Sequence, residues 1–296
     1  MASVKEIKNR IKGVKDTQKI TNAMYLIAST KMQRAKAELD RSHPYFEAVR
    51  AEIKRIFRTA GEVDSIYFYS EDGIAEKNGT YACLVITADK GLAGSYNQSV
   101  IREAQKLLDD HPDTKLFVVG EYGRQYYARH GIPIEQSFLY TAKNPTVYRA
   151  REITEVLLER YATEEFEKIY IVYTDMKNRL NQEAITYRIL PFHRKYFADT
   201  FEKERPVTQK FEFMPSVQQV LASTIRSLVA GFIYGALVDS FCCEQSARMT
   251  AMDAANRNAE KILSELSVQY NKVRQNLITQ EITEVSAGAK AQKMSR

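Results

Sequence analysis

The stretch best suited to chemistry is Ala88-Asp-Lys-Gly-Leu-Ala-Gly-Ser-Tyr-Asn97. It carries two glycines between an apolar run, Tyr81 to Thr87, and a segment of helical periodicity that starts at Asn97. Backbone N–H groups at a helix N-terminus attract anions, so a phosphate site is one reading. The spacing argues against it, because neither Gly-x-Gly-x-x-Gly nor Gly-x-x-x-x-Gly-Lys-Ser/Thr is present. The simpler reading is a tight turn at the glycines, with Asn97 capping the following helix.

Other reactive residues do not assemble into a site. His43, His111, His130 and His193 have no metal-ligand spacing, and the first three each precede Pro or Gly. Cys83, Cys242 and Cys243 form neither a disulfide framework nor a zinc motif. They are expected as reduced packing residues, in keeping with a reducing compartment. No Gly-x-Ser-x-Gly elbow occurs. Glu164, Glu165 and Glu167 read as a solvated acidic surface. No catalytic, cofactor-binding or metal-binding residue is therefore expected.

The net charge is +6, and residues 1–60 hold fourteen Lys/Arg against six Asp/Glu. A basic balance suits nucleic acid, an acidic membrane surface or an acidic protein. The cations of the first helix are spread around it and lack an aromatic platform, so nucleic-acid binding is not expected.

The elements that frame these residues are unusually long. From Ser216 the chain runs some seventy residues without proline. Its apolar-leaning seam steps by four and three through Val217, Leu221, Thr224, Leu228, Gly231, Gly235, Val238, Cys242, Gln245, Met249, Met252, Asn256, Ala259, Leu263, Leu266, Tyr270, Val273 and Leu277. The N-terminus has a matching seam: Val4, Ile7, Ile11, Val14, Gln18, Thr21, Tyr25, Ala28, Met32, Ala35, Leu39, Phe46, Val49, Ile53 and Ile56. A 3.5-residue repeat is the mark of a left-handed coiled coil. Two such seams at opposite ends of one chain predict an antiparallel intramolecular pair. Its polar and small seam residues suggest a rod supported from outside by a partner. Ser3 with Glu6 forms a capping box, and His43-Pro44 is expected to kink the first helix without ending it. The apolar run Leu228 to Cys243 contains Asp239 and is shorter than the roughly 20 residues of a membrane span. Gly231 and Gly235 are expected to let a neighbouring helix approach.

Between the seams, strands are expected at Tyr81–Thr87, Lys115–Val119, Ile134–Tyr140, Lys168–Tyr173 and Glu183–Phe192. Helices are expected at Asn97–Asp110, Gly123–His130 and Val147–Tyr161. Alternation of strand and helix implies βαβ units and a mostly parallel sheet, with an antiparallel last pair. The fold class is thus α/β plus a long helical hairpin: an antiparallel coiled coil with an inserted Rossmann-like α/β domain. The expected divisions are helix 1–60, polar connection 61–79, α/β domain 80–215, helix 216–287 and tail 288–296. Residues 193–215 are charged, with one alternating run from Val207 to Phe213.

Three segments together carry a resemblance. Glu244 to Ala259 (EQSARMTAMDAANRNA), with Tyr270-Asn-Lys-Val-Arg-Gln275 and Ile278-Thr-Gln-Glu-Ile282, closely resembles the C-terminal helix of the gamma subunit of F-type ATP synthases of bacterial type. Ile7-Lys-Asn-Arg-Ile11, Thr17 to Met24 and Ala28-Ser-Thr-Lys-Met32 look like that family's first helix. Asp89-Lys-Gly-Leu-Ala-Gly94 is similar to its Asp-Arg-Gly-Leu-Cys-Gly pattern, with Lys for Arg and Ala for Cys. Residues 120–215 match only in element order.

The resemblance implies a non-catalytic rotor shaft without cofactors. Its hairpin would enter a ring of three alpha and three beta subunits. Its α/β foot would bind the epsilon subunit and sit on the c ring, whose rotation proton flow drives. Arg274 and Gln275 are the implied contacts with acidic beta loops, and Met24 is implied to lie opposite the helix around Arg248. Ala251, Ala254, Ala255, Asn258 and Ala259 suit a smooth outer face. Foot contacts are expected within Lys195 to Glu212. Residues past Gly288-Ala289 are expected as a disordered tail. No thiol switch is implied, and a peripheral place on the cytoplasmic face of the bacterial inner membrane is expected, a processed mitochondrial chain being the alternative. Two other classes remain open: a coiled-coil scaffold binding nucleic acid or proteins, and a nucleotide-binding α/β protein. Salt-dependent DNA binding would favour the first, and nucleotide binding lost on Gly91 or Gly94 substitution the second.

Overall fold

Every residue of the strand Tyr81–Ile86 is buried, which is possible only where both faces of a sheet are covered. This strand (β1) is central in a five-stranded sheet of order β3-β2-β1-β4-β5. The computed structural model describes residues 3–60, 63, 65–69, 79–139, 141–163, 165–176, 182–193, 197 and 212–294. Its elements are α1 (Val4–Ala60), β1, α2 (Tyr96–Asp110), β2 (Lys115–Val119), α3 (Glu121–Arg129), β3 (Gln136–Phe138), α4 (Val147–Ala162), β4 (Lys168–Met176), β5 (Gln182–Leu190) and α5 (Val217–Met294). Strand β1 pairs in parallel with β2 and β4, β2 with β3 likewise, and β4 pairs antiparallel with β5.

The chain divides into two compact units, Ser29–Arg248 and Met1–Ala28 with Met249–Arg296. In the larger unit the period-2 alternation of β1 builds two cores. Cys83 and Val85 join Val100 and Ala104 of α2 and Tyr127 of α3. Ala82, Leu84 and Ile86 join Ile153 and Leu157 of α4, together with Ile53 and Ile56 of α1 and Leu221, Ile225 and Ile233 of α5. The long helices are thus part of this domain's core. The apolar run Leu228 to Cys243 is mostly buried there, its outlier Phe232 being 39% exposed.

The two long helices run antiparallel in this unit. Phe46 lies against Gly231 and Tyr234, whereas Met32, fourteen residues earlier, offers its carbonyl to Cys242 Sγ. A Cβ on Gly231 would stand 2.4 Å from the Phe46 ring, so this glycine does permit close approach; Gly235 has nothing within 4 Å of such a Cβ. The capping box forms, with Ser3 N–H donating to Glu6 Oε2 at 2.8 Å and Glu6 N–H to Ser3 Oγ at 3.2 Å. Helix α1 continues through Pro44 to Ala60.

Three expectations change. Asn97 does not cap α2; the helix starts at Tyr96, and the Asn97 side chain turns inward to accept the Ala88 N–H at 2.9 Å. The connection after α1 is not merely polar, since Val63, Tyr67 and Phe68 are buried in the main core and the Tyr161 hydroxyl donates to the Ile66 carbonyl at 3.0 Å. The tail past residue 287 stays helical to Met294. The segment Lys195 to Glu212 lies outside the described residues except Phe197 and Glu212, as does the alternating run up to residue 211.

Candidate functional site

The glycine loop after β1 is bonded inward at its start, through Thr87, Ala88 and Asp89, while Lys90, Gly91, Leu92, Gly94 and Ser95 are exposed. The Thr87 hydroxyl donates to the Val119 carbonyl at 2.8 Å and accepts the Gly123 N–H at 3.0 Å. Asp89 Oδ1 accepts the Glu121 N–H at 3.1 Å, and the Ala88 carbonyl accepts that of Tyr122 at 3.0 Å. Gly94 has φ +56°, a value that suits glycine. Gly120 (φ +95°) is constrained further, because a Cβ there would stand 2.2 Å from the Thr87 carbonyl oxygen.

The outer side of the same loop meets α5. Arg248 Nη1 lies 2.6 Å from Glu244 Oε1, with the two side chains only 12% and 9% exposed. The second Arg248 nitrogen, Nη2, donates to the Gly91 carbonyl at 3.1 Å. Glu244 and Arg248 are one helical turn apart, so one face of α5 presents a buried ion pair to the loop. Burial raises the Glu244 pKa; the Arg248 charge opposes this, Asp89 adds to it and Lys31 opposes it. Beside this pair, Ala88, Ala93 and Tyr96 pack on Cys243, and burial raises the Tyr96 phenol. The Thr174 N–H of β4 donates to Ser240 Oγ at 3.4 Å. The loop is therefore a joint that fastens the sheet to the long helix. The sequence signal for it was the Glu-x-x-x-Arg spacing at 244 and 248, and no spacing reveals that the receiving group is the Gly91 carbonyl.

A second charged feature of this joint is Asp239. Burial lifts its carboxyl to a pKa of about 6, with the nearby Asp175 carboxylate adding to the shift. The three cysteines are free and buried, and burial pushes Cys83 up to about 12 and Cys242 up to about 11, so their thiols are held protonated. Of the three glutamates read as a solvated surface, Glu165 is ion-paired to Arg160, Glu167 accepts the Gly79 N–H at 3.0 Å, and Glu164 lies outside the described residues.

The smaller unit has a different character. Its seam is narrow, and Ile7, Ala28, Met252, Ala259 and Leu266 are the buried apolar residues among those described. Its polar seam residues pair with one another: the Thr21 hydroxyl donates to Asn256 Oδ1, and Asn256 Nδ2 donates to Asn22 Oδ1 at 3.1 Å. A polar contact at a seam position fixes register. This register sets Met24, half-buried, level with Asp253, and it sets Val4 level with Val273. Beyond Val273 every described side chain of α5 is exposed, including Leu277 (43%), Ile278 (45%), Ile282 (64%) and Val285 (73%). That overhang of about 21 residues is roughly 30 Å of helix. Arg274 and Gln275 stand exposed at its start. Arg248 and Met24 belong to different units. Of the residues expected on a smooth outer face, Ala254 and Asn258 are exposed and Ala251 and Ala255 half-buried. Ala259 is in the seam, at 8% exposure.

The fold is of the class in which a mostly parallel sheet domain is inserted between two long antiparallel helices, and α5 leaves apolar side chains exposed past the seam. The ATP synthase family profile matches residues 3–292. The chain is 38% identical to an ATP synthase gamma chain of Acetivibrio thermocellus over 99% of its own length and 100% of that protein's. It is 39% identical to the one of Caldanaerobacter subterraneus over 96% and 98%. Its fold matches a chain in a structure of the Euglena gracilis mitochondrial ATP synthase (OSCP, F1 and c ring) with a TM-score of 0.68 and 16% identity, covering 97% of this chain and 94% of that one. The chain belongs to the ATP synthase gamma chain family. It is a central-stalk subunit of an F-type ATP synthase and is not itself catalytic.

Proposed function

We propose that the chain works as the turning shaft between a membrane c ring and a ring of three alpha and three beta subunits, with its sheet domain also holding an epsilon subunit. It is peripheral to the membrane through the c ring, on the cytoplasmic face in a bacterium. The observation that carries this reading is the overhang of α5. Leu277, Ile278, Ile282 and Val285 are apolar, exposed and past the last seam contact, as expected of a helix that another protein surrounds.

In this reading the two units divide the labour. The joint at Gly91, Glu244 and Arg248 fixes the sheet domain to α5, so rotation of one turns the other. Arg274 then offers a charged fork to acidic beta loops, and Gln275 an amide beside it. Met24 is a half-buried residue of the same helix pair, level with Asp253 and well short of Arg274. Arg248, spent on Glu244 and Gly91, acts within the chain.

Purification of the native protein through a tag, under conditions that keep membranes intact until extraction, tests the reading. Alpha and beta chains near three copies each per copy of this one, with c and epsilon, are expected. Recovery of the chain alone or as a homodimer would overturn it.

A further inference from the structure

The sheet end opposite the Gly91 loop carries a row of rings and cations that the stalk joint does not use. Lys168 opens β4, next to Tyr81 of β1 in register. Its Nζ donates to the Tyr81 hydroxyl at 3.0 Å and lies 4.9 Å from that ring's centre. Two residues on and on the same face is Tyr170, whose register partner on β5 is Arg188. The Arg188 guanidinium lies 4.8 Å over the Tyr69 ring, and its Nη2 donates to His193 Nε2 at 2.7 Å. Burial raises the Tyr170 phenol pKa, while the Lys168 and Arg188 charges pull it down, so both cations lie close to this one ring.

Neither cation has a carboxylate partner among the described residues. Both are held in place by rings and neutral groups, so little side-chain freedom is left to lose when an anion binds. All of Lys168, Tyr170, Arg188, Tyr69 and His193 are half-buried, and each therefore keeps an open side. β5 is also an edge strand of the sheet, nine residues long. An edge of that length invites a covering polypeptide. Two fixed cations on either side of a tyrosine, bordering a strand edge, fit carboxylates spaced along a peptide better than one compact phosphate, which needs converging donors.

We infer that the Lys168–Tyr170–Arg188 strip is a docking surface for an acidic segment of a neighbouring protein subunit. The proposal rests on the stalk reading and deepens it, because it assigns a partner chemistry to one face of the sheet domain that holds other subunits in that reading. It predicts that the Lys168 ammonium sits within bonding distance of a foreign carboxylate in the assembly.

The test is zero-length carbodiimide coupling of the purified native complex, followed by peptide mass spectrometry. An amide joining Lys168 to an Asp or Glu of another subunit is expected. A Lys168→Gln/Arg188→Gln variant, checked for unchanged thermal unfolding, should bind that subunit at least tenfold more weakly. Lys168 left uncoupled in the intact complex, or coupled to a carboxylate of this same chain, would overturn the proposal. So would binding to phosphatidylglycerol vesicles that the double variant abolishes, which would assign the strip to lipid phosphate. Failure to recover any complex would count against the stalk reading, and a complex with uncoupled Lys168 would count against this proposal alone.

Discussion

The unit Ser29–Arg248 and the unit formed by the chain's two ends are built from the same two helices, yet they hold together differently. In the first, α1 and α5 bury Ile53, Ile56, Leu221, Ile225 and Ile233 to 0% exposure against a sheet. In the second they share a seam whose central contact is Thr21–Asn256–Asn22. Burying a Leu or Ile side chain contributes about 1.5–3 kcal/mol, so the first unit has its own stabilising core. The second has a register device and little apolar burial. One half of the molecule is organised from within, and the other leaves apolar side chains of α5 exposed.

The largest effect that separates the two units comes from Gly120→Ala. Its φ of +95° and the 2.2 Å approach of a Cβ to the Thr87 carbonyl leave no space and no relaxed backbone. A loss of about 3–5 kcal/mol is expected, within the range of strain at a special φ/ψ. Urea unfolding of the purified chain followed by circular dichroism would check it. An unchanged midpoint would mean that the β1–α3 joint tolerates movement and that the larger unit is less rigid than described.

Asp239→Asn should act in the opposite direction. The carboxyl has a folded pKa of about 6 against an ordinary 3.8, because it is buried near Asp175. The folded state therefore binds more protons than the unfolded one between these values, and stability falls as pH rises from about 4 to about 6. At 1.36 kcal/mol per unit, the asparagine variant gains up to about 3 kcal/mol at neutral pH and loses this slope. Denaturant midpoints at pH 5 and pH 8 measure it. A parallel pH dependence in both proteins would show that Asp239 is not the group responsible.

Arg248→Ala comes next, at about 2 kcal/mol, since it leaves the Glu244 carboxylate buried without its ion pair and Gly91 without its donor. Glu244→Gln in the same chain should recover part of the loss. A double-mutant cycle that found the two substitutions additive would remove the joint from the account.

Much of this arrangement is legible in the residues. The seam period marked both long helices because their inner faces alternate by 3.5, and those positions are buried or half-buried up to Val273. The mostly parallel sheet follows from alternating strands and helices. What was not legible depends on contacts between distant segments. Asn97 has the residue type of a cap, but its partner is the Ala88 N–H, set by how β1 returns to α2. Ala259 reads in the sequence both as a seam residue and as part of a smooth outer face; its burial puts it in the seam, and the partner helix decides between the two. The ledge at Lys168 and Arg188 joins residues from four separate segments, which no local spacing could reveal.

The smallest effect on the chain itself is expected from Arg274→Ala, and that is its value. Arg274 is exposed and beyond the seam, so its removal should change unfolding stability by no more than about 0.5 kcal/mol. If the end of α5 is a surface for a partner, the same change should matter in the assembly, where a charge-assisted hydrogen bond contributes about 1.5–3 kcal/mol. ATP-driven ion pumping by the reconstituted complex should fall several-fold while the chain stays folded and bound. Unaltered pumping would place the contact elsewhere on the overhang, with Gln275 and the exposed Ile278 and Ile282 next to be tested. A stability loss matching that of Arg248→Ala would contradict the division between an inward-held unit and an outward-facing one, because a residue without burial would then be supporting the fold.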